Sequence, residues 1–260
     1  MHTANASDGT QLSYRTFGSG SSDVIFVHGW MASSVVFDDL VEALGTEGLR
    51  LIVPDLRGSG RSGRPEHGYT IEQYASAVLA VAAAAGATSF ALVGHSMGGL
   101  IAQWLAATTA SRVRGAVLLC PVPASGVPLP DDARGLFRGS AGNREAQNTI
   151  LGLACKELAE GARERLLDAA GDIPAACIQG AFDAWTGASF TDKLGAVRAP
   201  VLVVGTDDPF LPPAFLREAI VARLPRAAFA YLPGPGHYVP VERPRETAAV
   251  LRAFLLPLGG

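Results

Sequence analysis

The chain has 260 residues, 48% of them hydrophobic and 17% charged, which suits one large domain with a sizeable buried core. Its formal net charge of −3, with no block of like charges, gives no reason to expect nucleic acid or an acidic membrane surface as a partner. The N-terminus lacks the basic and apolar stretches of a secretory signal, and no apolar run reaches the roughly 18 residues of a membrane span. We therefore expect a cytoplasmic protein. We expect it to be a monomer or a homodimer.

Short apolar runs rich in β-branched residues alternate with longer helical patterns along the chain. This alternation is typical of stacked βαβ units, which build an α/β fold with a mostly parallel central sheet and helices on both faces. The predicted strands are Val24–Val27, Leu51–Pro54, Phe90–Val93, Gly115–Leu119, Val201–Gly205 and Ala227–Leu232. Before them, Gln11–Phe17 follows the turn signal Asp8-Gly9 and is predicted to start an antiparallel hairpin at the edge of the sheet.

The clearest helix is predicted to begin after Thr70. Thr70 and Gln73 have the spacing of a capping box, in which each side chain satisfies a backbone N–H at the helix start. A stripe of apolar residues follows at helical spacing, and Gly86 suits the C-terminal cap. Further helices are predicted over Leu100–Ala107, Pro213–Leu224 and Pro244–Leu255.

The alternation of predicted strands and helices stops between Pro121 and Ala199. This stretch is rich in Gly, Ala, Arg and Glu, and Asn143–Ala169 is predicted to form a helix. We interpret residues 121–199 as a helical cap inserted into a core made of residues 1–120 and 200–260.

The pattern Gly94-His95-Ser96-Met97-Gly98 lies between a predicted strand and a predicted helix. A serine on such a sharp turn presents its hydroxyl outward, and the glycines two residues to either side remove the side chains that would collide there. The helix N-terminus behind Ser96 also supplies free N–H groups where negative charge develops. Ser96 is therefore the candidate nucleophile, and a glycine-rich turn with an incidental serine is the alternative.

His28-Gly29-Trp30 follows an earlier predicted strand, where a second loop of an oxyanion hole is expected. The backbone N–H groups of Trp30 and Met97 are the candidate donors, which leaves the Trp30 side chain free to line a pocket. His28 is interpreted as a structural residue of this loop.

Serine chemistry needs one imidazole that takes the proton of the hydroxyl and returns it to the leaving group. The chain has His2, His28, His67, His95 and His237. His237 lies in a Pro/Gly-rich loop just after the last predicted strand, so it is the candidate general base. The turn at Ser96 is expected to direct the side chain of His95 away.

The acid that orients the base is expected in the loop after the preceding strand. Val201–Gly205 leads into Asp207-Asp208-Pro209, and two adjacent aspartates cannot both face the histidine. We choose Asp208, directly before the proline, and interpret Asp207 as a solvated turn residue.

Several motifs resemble the successive landmarks of the α/β-hydrolase superfamily, over nearly the whole chain outside the predicted cap. They are HGW, DLRGSGRS (Asp55–Ser62), GHSMGG, GTDDPFLP and GPGHYVPVERP. The chain is most similar to the capped, cofactor-free serine esterase branch, which includes lactonases, C–C hydrolases and haloperoxidase-like perhydrolases. The resemblance implies hydrolysis of small or medium apolar esters by Ser96, His237 and Asp208, with lactones left open as substrates. Serine at this turn, where haloalkane dehalogenases and epoxide hydrolases carry aspartate, argues against those two activities.

The same three residues would also serve two other reactions. A C–C hydrolase needs in addition a cationic residue that binds a substrate carboxylate. A perhydrolase or haloperoxidase-like enzyme is the other possibility, although Met31 stands where that group is expected to have proline. The non-enzymatic alternative is a ligand-binding receptor on a hydrolase scaffold, so the expected partner is in every case a small molecule.

Apolar side chains of the cap and the loops are candidates for a pocket between cap and sheet. They are Trp30, Met31, Phe137, Phe182, Trp185, Phe190, Phe210, Leu211 and Tyr238. Holding the cap together is the alternative role for the cap aromatics. Five cap arginines are interpreted as a solvated face, with carboxylate binding by one of them left open: Arg134, Arg138, Arg144, Arg163 and Arg165.

Gly58–Gly63 matches GxGxxG after a strand, as in dinucleotide sites. However, Arg64-Pro65 follows instead of a helix start, and no acidic residue ends a second strand about 20 positions on. The sequence has no zinc or nucleotide motif, and its three cysteines are too scattered for a metal cluster or a disulfide framework. The sequence therefore predicts neither a cofactor nor a metal.

Overall fold

A central sheet organises the computed structural model, which describes residues 1–259 apart from the side chain of Asp132. Within these residues the sheet has eight strands in the order β1-β2-β4-β3-β5-β6-β7-β8. The strands are β1 His2–Asn5, β2 Gln11–Phe17, β3 Ser22–Val27, β4 Leu49–Pro54, β5 Phe90–His95, β6 Val113–Leu119, β7 Val201–Gly205 and β8 Ala227–Tyr231. β1 and β2 pair antiparallel, as do β2 and β4, and every later pair is parallel. The predicted fold class is confirmed. Gln11–Phe17 lies in an antiparallel hairpin at the edge of the sheet, but as its second strand, after β1, which the sequence analysis did not predict.

Helices cover the two faces of this sheet. They are α1 Asp38–Leu44, α2 Ile71–Ala84, α3 Met97–Thr108, α4 Asp131–Arg138, α5 Arg144–Ala154, α6 Glu160–Gly171, α7 Ala175–Thr186, α8 Pro213–Ala219, α9 Val239–Glu242 and α10 Pro244–Leu255. α2 packs against α3, and α1 packs against α10. The central strands are continuously buried as a result, which agrees with their uninterrupted apolar sequences. Among residues 1–259 no helix has the length and apolar character needed to cross a membrane.

The start of α2 differs from the prediction in one bond. The Thr70 side chain accepts the N–H of Gln73 at 3.3 Å, as a capping box requires. The side chain of Gln73 does not return the bond, because its Oε1 accepts instead from the Arg57 guanidinium at 3.2 Å. At the other end Gly86 has a φ of +70°, the left-handed conformation expected after a helix.

The segment predicted as a cap contains α4 to α7. The single helix predicted over Asn143–Ala169 is wrong, because α5 ends at Ala154 and α6 begins at Glu160. Cys155 is extended, with φ −102° and ψ 145°, and the next two N–H groups bind a side chain far away in sequence. The boundaries of the core and the cap stay a prediction. Similarly, α8 ends at Ala219, five residues before the predicted end, and a short 3₁₀ turn follows.

Candidate active site

Ser96 occupies the turn between β5 and α3 with φ +56° and ψ −120°, a conformation that L residues rarely adopt. The glycines around it leave no room for side chains. A Cβ on Gly98 would lie 1.9 Å from the carbonyl oxygen of Val27, and a Cβ on Gly94 would lie 2.4 Å from the carbonyl oxygen of Gly98. The turn is therefore strained, and it stays in place because the strand before it and the helix after it pack closely.

Two backbone N–H groups near Ser96 are free. Met97 is the first residue of α3, so its N–H has no acceptor within the helix. Within residues 1–259, neither the Met97 N–H nor the Trp30 N–H donates a hydrogen bond. The Trp30 loop lies against the serine, since a Cβ on Gly29 would be 2.9 Å from Ser96 Cβ and 3.4 Å from Ser96 Oγ. Both N–H groups predicted as oxyanion donors are thus available beside the serine turn.

The His28 side chain connects this loop to the segment that follows β4. Its Nε2 accepts the N–H of Leu56 at 2.9 Å and lies 3.2 Å from the Ser59 hydroxyl, so Nδ1 carries the proton and donates to the carbonyl of Gly29 at 2.9 Å. Burial lowers the pKa of His28, which keeps the ring neutral. The structural interpretation of His28 agrees with these contacts.

Asp208, which is buried, forms a hydrogen-bonded pair with His237, which is partly buried. Asp208 Oδ2 lies 2.6 Å from His237 Nδ1, and Asp208 Oδ1 accepts the N–H of Phe210 at 2.8 Å. Burial alone would raise the pKa of Asp208, but the attraction of the imidazole and the hydrogen bonds from His237 and the backbone outweigh it and leave this pKa below its usual value. The ionised carboxylate places the imidazole proton on Nδ1, so Nε2 is the nitrogen able to accept a proton.

Ser96 and His237 line the same cavity. Among the described residues Ser96 Oγ makes no hydrogen bond to the imidazole, a separation that is common in catalytic sites without substrate. A hydroxyl and a base thus line one cavity, and an acid behind the base orients it, which is the set of groups that acyl transfer requires.

Asp207 has a role that the sequence did not indicate. Its carboxylate accepts the Gly234 N–H at 3.1 Å and the Tyr231 hydroxyl, and these hydrogen bonds lower its pKa. The residue predicted as a solvated turn residue therefore holds the start of the loop that carries His237.

His95 contacts the loop that carries His237 through its side chain. Its Nε2 donates to the carbonyl oxygen of His237 at 2.9 Å, and the two rings lie 5.1 Å apart. Burial lowers the pKa of His95 to about 3, so the ring stays neutral and keeps this bond at physiological pH.

One cluster near the pair has the ligand types of a metal site. Cys120 Sγ, an Asp208 oxygen and a His237 nitrogen lie within 4.8 Å of one another. Burial raises the pKa of the Cys120 thiol well above its usual value, and the other two groups already bind each other. A protonated thiol is a poor ligand, so the chemistry of the set favours the acid–base pair over a metal ion.

The cavity has about 70 Å³ that the centres of water molecules could occupy, which is room for several waters. Six of the predicted pocket residues line it: Trp30, Phe137, Trp185, Phe210, Leu211 and Tyr238. Five further lining residues were missed: Val122, Val127, Leu129, Ile150 and Ala154. Apart from Ser96 and His237, the wall consists of aliphatic and aromatic residues.

Three predicted pocket residues lie elsewhere. Phe182 is fully buried behind the wall, with its ring 5.1 Å from that of Trp185. Phe190 packs edge-on against Trp104 at 5.0 Å, and Met31 lines a separate, small cavity. These side chains complete the core under the wall instead of forming its surface.

The glycine-rich loop Gly58–Gly63 surrounds a side chain of the protein itself. A Cβ on Gly60 would lie 2.2 to 2.4 Å from the Asp55 carboxylate, which accepts the N–H groups of Ser34 and Arg61 at 2.9 Å each. The loop therefore encloses an internal carboxylate where a dinucleotide site would enclose a phosphate.

The cap arginines mostly bind neighbouring side chains at the surface. Arg138 pairs with Asp183, and Arg165 pairs with Asp39. Arg144 binds both Glu164 and Asp168, Arg163 donates to Asn148, and Arg134 lies over the Phe182 ring. None of the five lines the cavity of Ser96 in the described part of the chain.

Comparisons with known proteins agree on one family. The family model described as "Alpha/beta hydrolase family" matches residues 24–250. The chain is 33% identical to a non-heme haloperoxidase of Rhodococcus erythropolis, over 91% of this chain and 93% of that protein. The structure of the esterase RhEst1 from Rhodococcus sp. ECU1013 is 26% identical, with a TM-score of 0.85, and the match covers 99% of this chain and 98% of that one. Est816, described as an N-acyl homoserine lactone degrading enzyme, is 27% identical with a TM-score of 0.82 over 97% of this chain and all of the other.

Proposed function

The chain belongs to the alpha/beta hydrolase family, and on that premise we propose that it hydrolyses neutral, apolar carboxylic esters through an acyl-enzyme on Ser96. One observation carries the proposal. Asp208 Oδ2 lies 2.6 Å from His237 Nδ1, and the imidazole so oriented shares the wall of one apolar cavity with the serine hydroxyl.

The reaction would begin with attack of Ser96 Oγ on the ester carbonyl. His237 Nε2 takes the hydroxyl proton, and Asp208 stabilises the imidazolium that forms. The N–H groups of Trp30 and Met97 bind the oxyanion of the tetrahedral intermediate, and one such donor typically stabilises the transition state by ~3–4 kcal/mol. The imidazolium then protonates the leaving alcohol, and a water molecule activated by His237 releases the acid from Ser96.

The wall of the cavity supports the substrate class. It carries no lysine or arginine among the described residues, so a substrate carboxylate would lose its hydration without gaining a cation. This disfavours the C–C hydrolase alternative, which needs such a cation. An apolar wall does not discriminate between lactones and open-chain esters, and lactones are supported as substrates by the similarity to Est816, which is described as an N-acyl homoserine lactone degrading enzyme.

Perhydrolysis is the second candidate. It is favoured by the haloperoxidase relative from Rhodococcus, which matches nearly the whole chain. Hydrogen peroxide would replace water as the group that attacks the acyl-enzyme, so that a peracid leaves in place of the acid. Met31 weighs against perhydrolysis, because haloperoxidase-like perhydrolases are expected to have proline at this position.

Turnover of short p-nitrophenyl esters by the wild type and by Ser96→Ala tests the proposal. We expect the substitution to lower kcat by about 10⁶-fold, whereas Ser125→Ala, at an exposed serine of the segment 121–199, leaves it unchanged. A fluorophosphonate should label the wild type at Ser96 alone. Equal ester turnover in the wild type and Ser96→Ala would refute the role of Ser96, and tight ligand binding with turnover over hours would favour the receptor alternative. Peracid formation from acetate and hydrogen peroxide separates perhydrolysis from hydrolysis.

The cytoplasmic location and the monomeric or homodimeric state also remain part of this proposal. Fractionation of the native host and light scattering of the purified protein test them.

A further inference from the structure

Glu242, the last residue of α9, is a carboxylate buried to 7% exposure. Its Oε2 accepts the N–H groups of Lys156 and Glu157, each at 2.8 Å, and that of Gly236 at 3.0 Å. Its Oε1 accepts the N–H of Tyr238 at 3.1 Å. Four main-chain N–H groups thus bind the two carboxylate oxygens, so this buried polar side chain has the hydrogen-bond partners that burial requires.

These four groups belong to two segments far apart in sequence. Lys156 and Glu157 lie in the connection between α5 and α6, and Gly236 and Tyr238 flank His237. Without Glu242, both segments would leave main-chain donors without an acceptor at a partly buried seam, which is costly.

Other contacts show that the two segments touch along their main chains. The His237 N–H donates to the carbonyl oxygen of Ala154 at 2.8 Å. A Cβ on Gly236 would lie 2.2 Å from that same oxygen, so only glycine fits there. Arg243, next to Glu242, forms an ion pair with Glu157 across the same seam. Ala154 and Tyr238 in turn line the cavity of Ser96.

We propose that Glu242 is a positioning residue for the base, one that fixes the His237 loop against the α5–α6 connection. This inference rests on the proposed function, because it concerns the residue that would deprotonate Ser96. His237 lies between the two loop residues that Glu242 binds, so a shift of either one moves the imidazole relative to the serine. Misplacement of a reacting group by about 1 Å can cost two orders of magnitude in rate.

The carboxylate chemistry explains why glutamate is needed. Both of its oxygens accept hydrogen bonds, and the four bonds use both of them. Glutamine has the same shape but only one accepting oxygen. If that oxygen keeps the three bonds of Oε2, the amide NH₂ meets the Tyr238 N–H, and two donors face each other.

The first test compares Glu242→Gln with the matched control Glu246→Gln, which changes an exposed glutamate in the first turn of α10. We expect Glu242→Gln to lower kcat by between about tenfold and a hundredfold with KM within about threefold of the wild type, because the loss concerns the base and not the apolar wall. The rate at which a fluorophosphonate labels Ser96 should fall by the same factor. A folded Glu242→Gln enzyme with wild-type kcat and labelling rate would overturn the inference.

A second measurement is made on the wild type and does not depend on whether a variant folds. In the wild type, the amides of Lys156, Glu157, Gly236 and Tyr238 should exchange their hydrogens slowly and at similar rates, since one side chain holds all four. Exchange at the rates of exposed loops would overturn the inference even if no variant could be purified. Failure of Ser96→Ala to abolish turnover would refute the proposed function instead, and it would leave this exchange pattern unchanged.

Discussion

Replacing Asp208 with asparagine tests the orientation of the imidazole directly. Each oxygen of the Asp208 carboxylate has one hydrogen-bond partner, the Phe210 N–H at 2.8 Å and His237 Nδ1 at 2.6 Å. Asparagine has only one accepting oxygen. If the oxygen keeps Phe210, the amide NH₂ faces Nδ1 and donates to it. The imidazole proton then moves to Nε2, and the base can no longer accept the proton of Ser96.

We expect Asp208→Asn to lower kcat by about 10⁴-fold. At 1.36 kcal/mol per factor of ten, this loss corresponds to about 5 kcal/mol of transition-state stabilisation. Thermodynamic stability should change much less at pH 7, since the neutral amide can still bond both the Phe210 N–H and the imidazole and also avoids the cost of burying a charge. Because the pKa of Asp208 is lowered by folding, its stabilising effect exists above the unfolded pKa and is lost as pH falls through the folded one.

Steady-state ester hydrolysis and urea unfolding measure the two effects on the same preparation. Asp207→Asn is the matched control, since its carboxylate binds Tyr231 and Gly234 but not the imidazole, and we expect it to lower kcat by less than about tenfold. A folded Asp208→Asn enzyme that keeps more than a tenth of the wild-type kcat would show that Asp208 does not orient the base.

Two further predictions concern stability. Phe182→Ala should lower the free energy of unfolding by ~3–5 kcal/mol, because the ring is fully buried among other rings. Leu153→Ala, at an exposed position, should change it by less than about 0.5 kcal/mol. Urea unfolding measures both variants, and similar values for the two would contradict the packing described here. Asp8→Asn removes the ion-pair partner of the buried Arg57 guanidinium and should cost about 1 kcal/mol at pH 7, a value discounted for the exposure of Asp8. Since the hydrogen bond from Arg57 lowers the pKa of Asp8 to about 2, this difference from the wild type should shrink as pH falls from about 4 through about 2 and vanish below that. A difference as large at pH 2 as at pH 7 would contradict the assignment.

The strands and the ends of α2 could be predicted because their signals are local. A continuous apolar run of five or six residues with turns on either side is enough to indicate a buried strand. The break after Ala154 could not be predicted in this way. Residues 155–159 contain no proline or glycine, and the acceptor that ends the helix there, Glu242, is 86 residues away from Lys156.

The positions of the candidate acid, base and nucleophile follow strand ends, so the sequence order was sufficient to choose them. The cavity wall depends on which face of each helix turns inward. Ile150 and Ala154 lie four residues apart on one face of α5, but this spacing alone does not show that the face turns towards the cavity. The aromatic ring of Phe182 suits a pocket wall as well as a core, and the structure places it in the core.

The loop that carries His237 has little regular secondary structure, although catalysis requires its imidazole to be placed within about 0.5 Å. The residue itself is held on three sides: its N–H by Ala154, its carbonyl oxygen by His95 and its ring by Asp208. Each of these partners comes from a different segment, and two of them are fixed in strand β5 and after strand β7. Hydrogen bonds from other segments thus take the place of the strand-to-strand hydrogen bonds that a sheet would provide. Glu242 holds both neighbours of His237 in the same way, through the N–H groups of Gly236 and Tyr238. A flexible sequence is thereby held in one geometry, because the acceptors and donors that order it are buried parts of the rest of the fold.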